Sequence, residues 1–378
     1  MRFLDHAKHR INQSLILTSI ENPRLIVTNS LSDPDTGYHP LIIENIREET
    51  KDFKTFVFRA GHQLDYEPGQ YITLVDNSGL REVRRSYSII SSPALKEPLS
   101  IAVKRIQNGF FSRKLVDRAR PGDRLFTIGS GGFFRLPENI ESFTSIFFFA
   151  AGSGIAPVLS LLKTVIHLHP GISVFLIYSN RSVETTAFYT ELKDLEKKFP
   201  DRLQIDFLFS TEANLRRARL NRELLLEFLA INHFDRQKTL FYTCGPEIYM
   251  RMIIFLLLEE GFPKENIKKE DFNPGNKKRV QRVPPDKKTY HVQLDLHGTL
   301  FNFPVPFPYS ILQAAKKLRL NLPYSCETGK CGSCAALCIS VKVWLSNNEV
   351  LTDKDLEQGL TLTCTGHPQQ GDVVLKIV

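Results

Sequence analysis

The sequence predicts a multidomain chain: an antiparallel β-barrel, then a doubly wound α/β domain, then a small α+β domain. Three observations carry that prediction. Short alternating runs broken by Pro-Gly turns extend to about Leu136, strand-like runs alternate with helical stretches from Ser145, and a hairpin, a short helix and a late strand follow a basic, proline-bearing segment. A length of 378 residues suits two or three domains, and 42% hydrophobic with 24% charged residues is a globular composition.

The barrel, assigned to residues 39–140, rests on Phe53–Phe58, Tyr71–Val75 and Leu99–Val103, with turns at Pro68-Gly69 and Pro121-Gly122. The α/β domain, residues 141–262, rests on apolar runs at Ile146–Ala151, Ile172–Tyr178, Leu203–Phe209 and Leu240–Thr243. Helical patterns at Ala156–His167, Phe188–Lys198, Arg222–Ala230 and Glu247–Glu260 separate them, which implies a parallel sheet. Residues 263–288, rich in lysine, proline and asparagine, are read as a linker with a short Glu270-Asp271-Phe272 anchor. In the last domain, residues 289–378, Tyr290–Leu296 and Leu300–Pro304 flank His297-Gly298 as a hairpin. Ser310–Leu318 reads as an amphipathic helix and Val373–Val378 as a closing strand. Residues 1–38 are left as an unassigned extension.

Charge and hydropathy exclude several classes. The longest apolar runs, Ile146–Ala151 and Met252–Leu258, fall short of the roughly 18 residues a membrane span requires. The net charge of +8 is spread out, apart from Lys277, Lys278, Arg279 and Arg282. That run fits a solvated linker, with a docking surface for an acidic partner or phosphate as the alternative. No nucleic-acid module is indicated. The N-terminus does not resemble a signal peptide, so a cytoplasmic location is expected.

The strongest chemical signal is Cys326-x4-Cys331-x2-Cys334 with Cys364 downstream, the plant-type spacing for a 2Fe-2S cluster. Two irons and two sulfides need four thiolates converging from different directions, so three come from a tight loop and one from an element folded over it. Gly329 and Gly332 suit such a loop, as do the small residues Ser325, Ser333 and Ala335. A disulfide framework does not fit a chain long enough to build its own cores. Structural zinc favours paired C-x2-C knuckles, of which one is present, and no histidine pair supports a Rieske centre. Cys338 is left over as a small buried hydrophobe. The order of hairpin, helix, cysteine loop and late strand resembles the β-grasp of plant-type ferredoxins, with Val341 standing where that family commonly has glycine.

Two further motifs are weak alone. Gly152-Ser153-Gly154-Ile155-Ala156-Pro157 follows a strand and opens a helix, which suits a pyrophosphate but equally a merely structural tight turn. Arg85-Ser86-Tyr87-Ser88 offers a cation, a planar ring and hydroxyls, which suits a flavin but also ordinary alternation on a barrel strand. Together with Tyr66-Glu67-Pro68-Gly69-Gln70-Tyr71 and Thr243-Cys244-Gly245-Pro246, they resemble the ferredoxin-NADP reductase family, in that family's order. With the ferredoxin-type domain behind them, the resemblance extends to reductase components of multicomponent oxygenases, in particular the phenylacetyl-CoA epoxidase reductase type, over roughly His39 to Val378.

That resemblance implies FAD, a 2Fe-2S cluster and a nicotinamide dinucleotide, and an electron-acceptor protein such as an oxygenase component. It implies that Arg85 binds the flavin phosphates, Tyr87 stacks on the isoalloxazine and Ser88 faces its N5, with Ser86, Val103, Lys104, Gly109, Phe111 and Ser112 completing the flavin set. Gly152, Gly154, Pro157, Arg181, Thr243, Cys244, Gly245 and Pro246 form the nucleotide set, Cys244 beside the nicotinamide. Tyr87, Ser88 and Cys244 are the candidate catalytic residues, and Cys326, Cys331, Cys334 and Cys364 the metal ligands. A nicotinamide yields two electrons as hydride and an iron–sulfur cluster takes one, so a flavin is the required intermediary. Arg181 favours NADPH, against which Ser210-Thr211 lacks a second arginine, so NADH stays open; the residues do not separate FAD from FMN. A redox-sensing regulatory flavoprotein, or a reductase of another acceptor, is the alternative function.

Overall fold

The computed structural model describes residues 38–59, 64–77, 82–230, 234–272, 282–296, 298–340 and 343–377. Residues 1–37, the run Lys277 to Arg279, His297 and Val341 lie outside them.

Apolar residues alternating with polar ones put one face of each barrel strand inward. The strands are β1 (His39–Thr50), β2 (Phe53–Phe58), β3 (Tyr71–Asp76), β4 (Val83–Ser88), β5 (Ser100–Lys104) and β6 (Arg124–Gly131), in the order β4-β3-β6-β1-β2-β5. A bridge between Ile89 and Ile101 closes the sheet on itself. Ile43, Phe56, Ile72, Leu74, Ile101 and Val103 fill the interior, and helix α1 (Phe110–Arg118) packs Phe111, Leu115 and Val116 against it.

The second unit is a parallel sheet of β7 (Ser145–Ala151), β8 (Ser173–Asn180), β9 (Leu203–Phe209), β10 (Thr239–Cys244) and β11 (Ile267–Glu270), in the order β11-β10-β7-β8-β9. Helices α2 (Ile155–Leu168), α3 (Tyr189–Lys198), α4 (Leu215–Ala218), α5 (Arg222–Ala230) and α6 (Glu247–Glu259) accompany it. From Ile155 to Ile166 α2 is buried throughout, because it lies between the sheet and the barrel. Strand β11 falls in the segment expected to be linker: Ile267 to Glu270 pair in register with Phe241 to Cys244. Its Ile-Lys-Lys-Glu sequence reads as charged coil, yet a short edge strand needs a partner on one side only and tolerates charge.

The third unit holds β12 (Tyr290–Leu296), β13 (Thr299–Val305), α7 (Ile311–Lys317), β14 (Ala335–Cys338), β15 (Val343–Leu345), α8 (Asp353–Glu357), β16 (Leu360–Leu362), β17 (Gly366–Pro368) and β18 (Val373–Ile377). Its main sheet runs β13-β12-β18-β14-β16, with β12 parallel to β18. Helix α7 starts in a capping box, Ser310 accepting from the Gln313 N–H while the Gln313 side chain accepts from the Ser310 N–H. It packs Ile311, Leu312, Ala314 and Ala315 into the core of this unit. The cysteine loop lies between α7 and β14.

Candidate functional site: a cleft where three domains meet

The C-terminal end of β4, the start of α1, the edge strand β11 and the cysteine loop enclose a cleft of about 1850 Å³. Arg85, Ser86, Tyr87, Ser88, Lys104, Gly109, Phe111 and Ser112 line it, together with Cys326, Cys331 and Glu270. Residues far apart in sequence thus reach one space, and it exceeds what a drug-sized ligand occupies.

Alternation along β4 places Arg85 and Tyr87 on one face, and Arg84, Ser86 and Ser88 on the other. Arg85 is exposed, braced by donating from Nη1 to the Arg84 carbonyl at 2.7 Å. The Tyr87 ring tilts against Phe111 at a centroid distance of 6.0 Å, and burial pushes its phenol up. The Ser88 hydroxyl is buried and has no partner among the described residues. A buried hydroxyl without a partner is costly in a closed protein and economical where a ligand supplies the bond. Gly109 starts α1, where a Cβ would lie 2.4 Å from the Ser112 hydroxyl oxygen. That oxygen accepts from the Ile106 N–H at 3.1 Å, so Ser112 braces the turn itself. The Val103 side chain is buried in the barrel interior, which leaves only its backbone for a ligand.

In the nucleotide unit, Gly154 is required by packing: a Cβ there would sit 2.0 Å from the Cys244 carbonyl oxygen. Gly152 has a φ of 54°, with the Lys104 ammonium close by, and its carbonyl accepts from the Tyr178 hydroxyl at 3.1 Å. Pro157 is buried inside α2 and faces the core. Thr243 and Cys244 end β10 at the carboxyl edge of the sheet, and the buried Thr243 hydroxyl lacks a partner among the described residues. Ligands of open α/β sheets bind at that edge. Gly245 and Pro246 follow, Pro246 leading into α6. Arg181 is exposed beyond β8, and its carbonyl accepts from the Thr211 N–H and hydroxyl at 3.1 and 2.8 Å.

The thiols come in two pairs. Hydrogen bonding links Cys326 with Cys331 and Cys334 with Cys364, the second pair buried. Hydrogen bonding from Cys331 pulls the Cys326 thiol down, helped by Thr328 and by the N–H groups of Thr328 and Lys330. Among the described residues no three of His, Cys, Asp and Glu converge on one point, as a mononuclear site would need. The four thiols are those that the plant-type spacing assigns to a two-iron cluster. Gly329, at φ 75°, passes so close to Asn347 that a Cβ would meet its carbonyl oxygen at 2.6 Å. Cys338 stands apart on β14, half-buried, its thiol donating to the Ser340 carbonyl at 2.9 Å.

Sequence reasoning missed two positions. Glu270, read as part of a linker anchor, pairs in register with Cys244, and burial lifts its pKa to about 8. Cys244 is pushed well up by burial and then by Glu270 and Asp271, so it stays a neutral thiol. Arg84 was overlooked beside Arg85. The available signal was the pair itself, since successive strand residues face opposite ways and an inward cation needs partners.

Comparison with known proteins gives three family matches: "Oxidoreductase FAD-binding domain" over residues 40–136, "Oxidoreductase NAD-binding domain" over 148–254 and "2Fe-2S iron-sulfur cluster binding domain" over 294–369. The chain is 32% identical to a component of the 1,2-phenylacetyl-CoA epoxidase of Escherichia coli K12, over 90% of this chain and 98% of that one. It is 31% identical to the ferredoxin reductase component of the 3-ketosteroid-9-alpha-monooxygenase of Mycolicibacterium smegmatis, over 91% and 98%. In fold it resembles phthalate dioxygenase reductase, with a TM-score of 0.57 and 23% identity over 91% of this chain and 99% of that one.

Proposed function

Because the chain belongs to the family of flavin- and 2Fe-2S-dependent reductase components of multicomponent oxygenases, we propose that it passes electrons from NADPH to an oxygenase or epoxidase component resembling the partner of its phenylacetyl-CoA relative. The observation that carries this reading is the shared cleft, into which the R-x-Y-S strand and two of the cluster cysteines both open. FAD held in that cleft would supply what no side chain can, taking the two electrons of one hydride from nicotinamide and releasing them singly to a 2Fe-2S cluster.

The protein's part is binding and orientation. Arg85 supplies a fixed positive charge for the flavin pyrophosphate, and the N-terminal turn of α1, which follows Gly109, adds its positive dipole end. Tyr87, held by Phe111, offers a flat face, and Ser88 offers a desolvated hydroxyl to the ring edge. Gly152, Gly154 and Thr243 shape the nucleotide site, with Lys104 bringing a cation from the barrel to the same turn. Neutral Cys244 lines the nicotinamide position without competing as a nucleophile. Cys326, Cys331, Cys334 and Cys364 would together hold the two irons of the cluster. Exposed Arg181 pairs with the 2′-phosphate of NADPH. Among the described residues no helix is long and apolar enough to cross a membrane.

The test is turnover. NADPH reduces ferricyanide and cytochrome c rapidly, and the cluster's visible absorption bleaches during the reaction. Slow turnover combined with a partner affinity that follows the cluster's oxidation state would overturn the reading in favour of a sensor.

A further inference from the structure

Strand β4 has two working faces. Arg85 and Tyr87 share one face, while Arg84, one residue earlier, borders the same cleft from the other face and reaches into the cluster domain with its side chain 3% exposed. A buried guanidinium must place its donors. Nε donates to Glu82, Nη1 to the Leu322 carbonyl at 3.2 Å and Nη2 to the Asn321 side chain at 2.7 Å. The guanidinium also lies 3.9 Å from the centre of the Tyr324 ring. Three of these four partners belong to the segment that leads directly into Cys326. Glu82 reinforces the grip by accepting from the Tyr324 hydroxyl at 3.2 Å and the Tyr38 hydroxyl at 2.6 Å.

The rest of the seam has the same character. Tyr71 of β3 donates to the Cys331 carbonyl and shares a 2.8 Å bond with Ser333. Gly332 approaches Phe133 so closely that a Cβ would come within 2.7 Å of its ring. Phe133 also packs against the core of the cluster unit, Ser86 donates to Ser325 at 2.8 Å and Lys330 pairs with Asp271 at 3.1 Å; between domains of one chain relative motion is the default unless such anchors hold.

We propose that Arg84 is a positioning residue for electron transfer: it clamps the entry to the cysteine loop against the flavin strand and so keeps the cluster domain in the transfer-competent pose. This rests on the reductase reading above. Removing the guanidinium leaves Glu82 half-buried without its cation and leaves the Leu322 carbonyl without its donor, which lowers the docked population. A lysine keeps the charge but has no planar fork with which to reach all three acceptors.

The test uses the full-length holoprotein and the variants Arg84→Ala, Arg84→Lys and Tyr324→Leu, with Cys331→Ala setting the rate at which each acceptor is served without the cluster. In Arg84→Ala, ferricyanide reduction at the flavin stays within about twofold while cytochrome c reduction through the cluster falls about tenfold or more. Arg84→Lys falls between that variant and the natural protein, and adding Tyr324→Leu to Arg84→Ala costs little more, because the two residues form one contact. Hydrogen exchange of residues 320–333 in the resting oxidised protein rises in step. Parallel loss of both activities together with the flavin would overturn the proposal by placing Arg84 in the flavin site, and so would unchanged exchange. If the natural protein reduced neither acceptor, the reductase reading would fail, while the exchange measurement would still decide whether Arg84 clamps the loop.

Discussion

Glu270 is half-buried beside the cleft, with one buried carboxylate oxygen lacking a partner among the described residues, and desolvation raises its pKa to about 8. A carboxyl with a higher pKa in the fold than in the unfolded chain binds more protons when folded. Its contribution to stability is therefore complete below the unfolded value of about 4.3 and is lost as pH rises through about 8. Glu270→Gln removes that dependence, so its melting temperature should gain on the natural protein's between pH 5 and 8; a constant difference would show that Glu270 is charged throughout. Arg181 makes the opposite kind of prediction, about a ligand. Arg181→Ala should raise the KM for NADPH about tenfold or more and leave that for NADH nearly unchanged, as loss of one phosphate-pairing cation would. Equal effects on both dinucleotides would remove its role in selecting the phosphate. Arg181 was visible from its place after a strand, whereas Glu270 was not, because nothing in Lys268-Lys269-Glu270-Asp271 advertises burial.

The turn between β7 and α2 shows how one element joins two sites. Gly154 lies against the end of β10, so the turn and the Cys244 position are set by one contact. Gly154→Ala forces a Cβ to within 2.0 Å of backbone. It should cost about 2–3 kcal/mol of stability and raise the KM for the pyridine nucleotide, both readable from denaturant melts and steady-state kinetics. A variant of natural stability and affinity would mean that the turn and β10 are not in contact. The glycine spacing was legible in the sequence, but its cause was not: a motif read as space for a pyrophosphate is held at Gly154 by the protein's own backbone. Strand β11 was hidden for a related reason, since four residues with two lysines carry no periodicity, and only pairing with β10 makes them a strand.

Across the whole molecule, the barrel, the parallel sheet and the ferredoxin-type sheet were each legible because each writes its own hydrophobic period into the chain. The seam between them was not. Arg84, Tyr71 and Ser86 meet partners more than 230 residues away, and no local pattern encodes such a meeting. Ser86 donates to Ser325 at 2.8 Å, which places a residue of the R-x-Y-S strand against the cysteine loop. Fusing the carrier to the reductase turns a bimolecular encounter into an intramolecular one, and the seam decides how often it succeeds. The most direct check is an anaerobic titration of the purified protein with NADPH alone, following flavin absorption and the paramagnetism of the cluster. The account predicts about one flavin, two irons and two acid-labile sulfides per chain, with the cluster becoming reduced as NADPH is consumed. A colourless protein without labile sulfide, or a flavin that bleaches while the cluster stays oxidised, would contradict it.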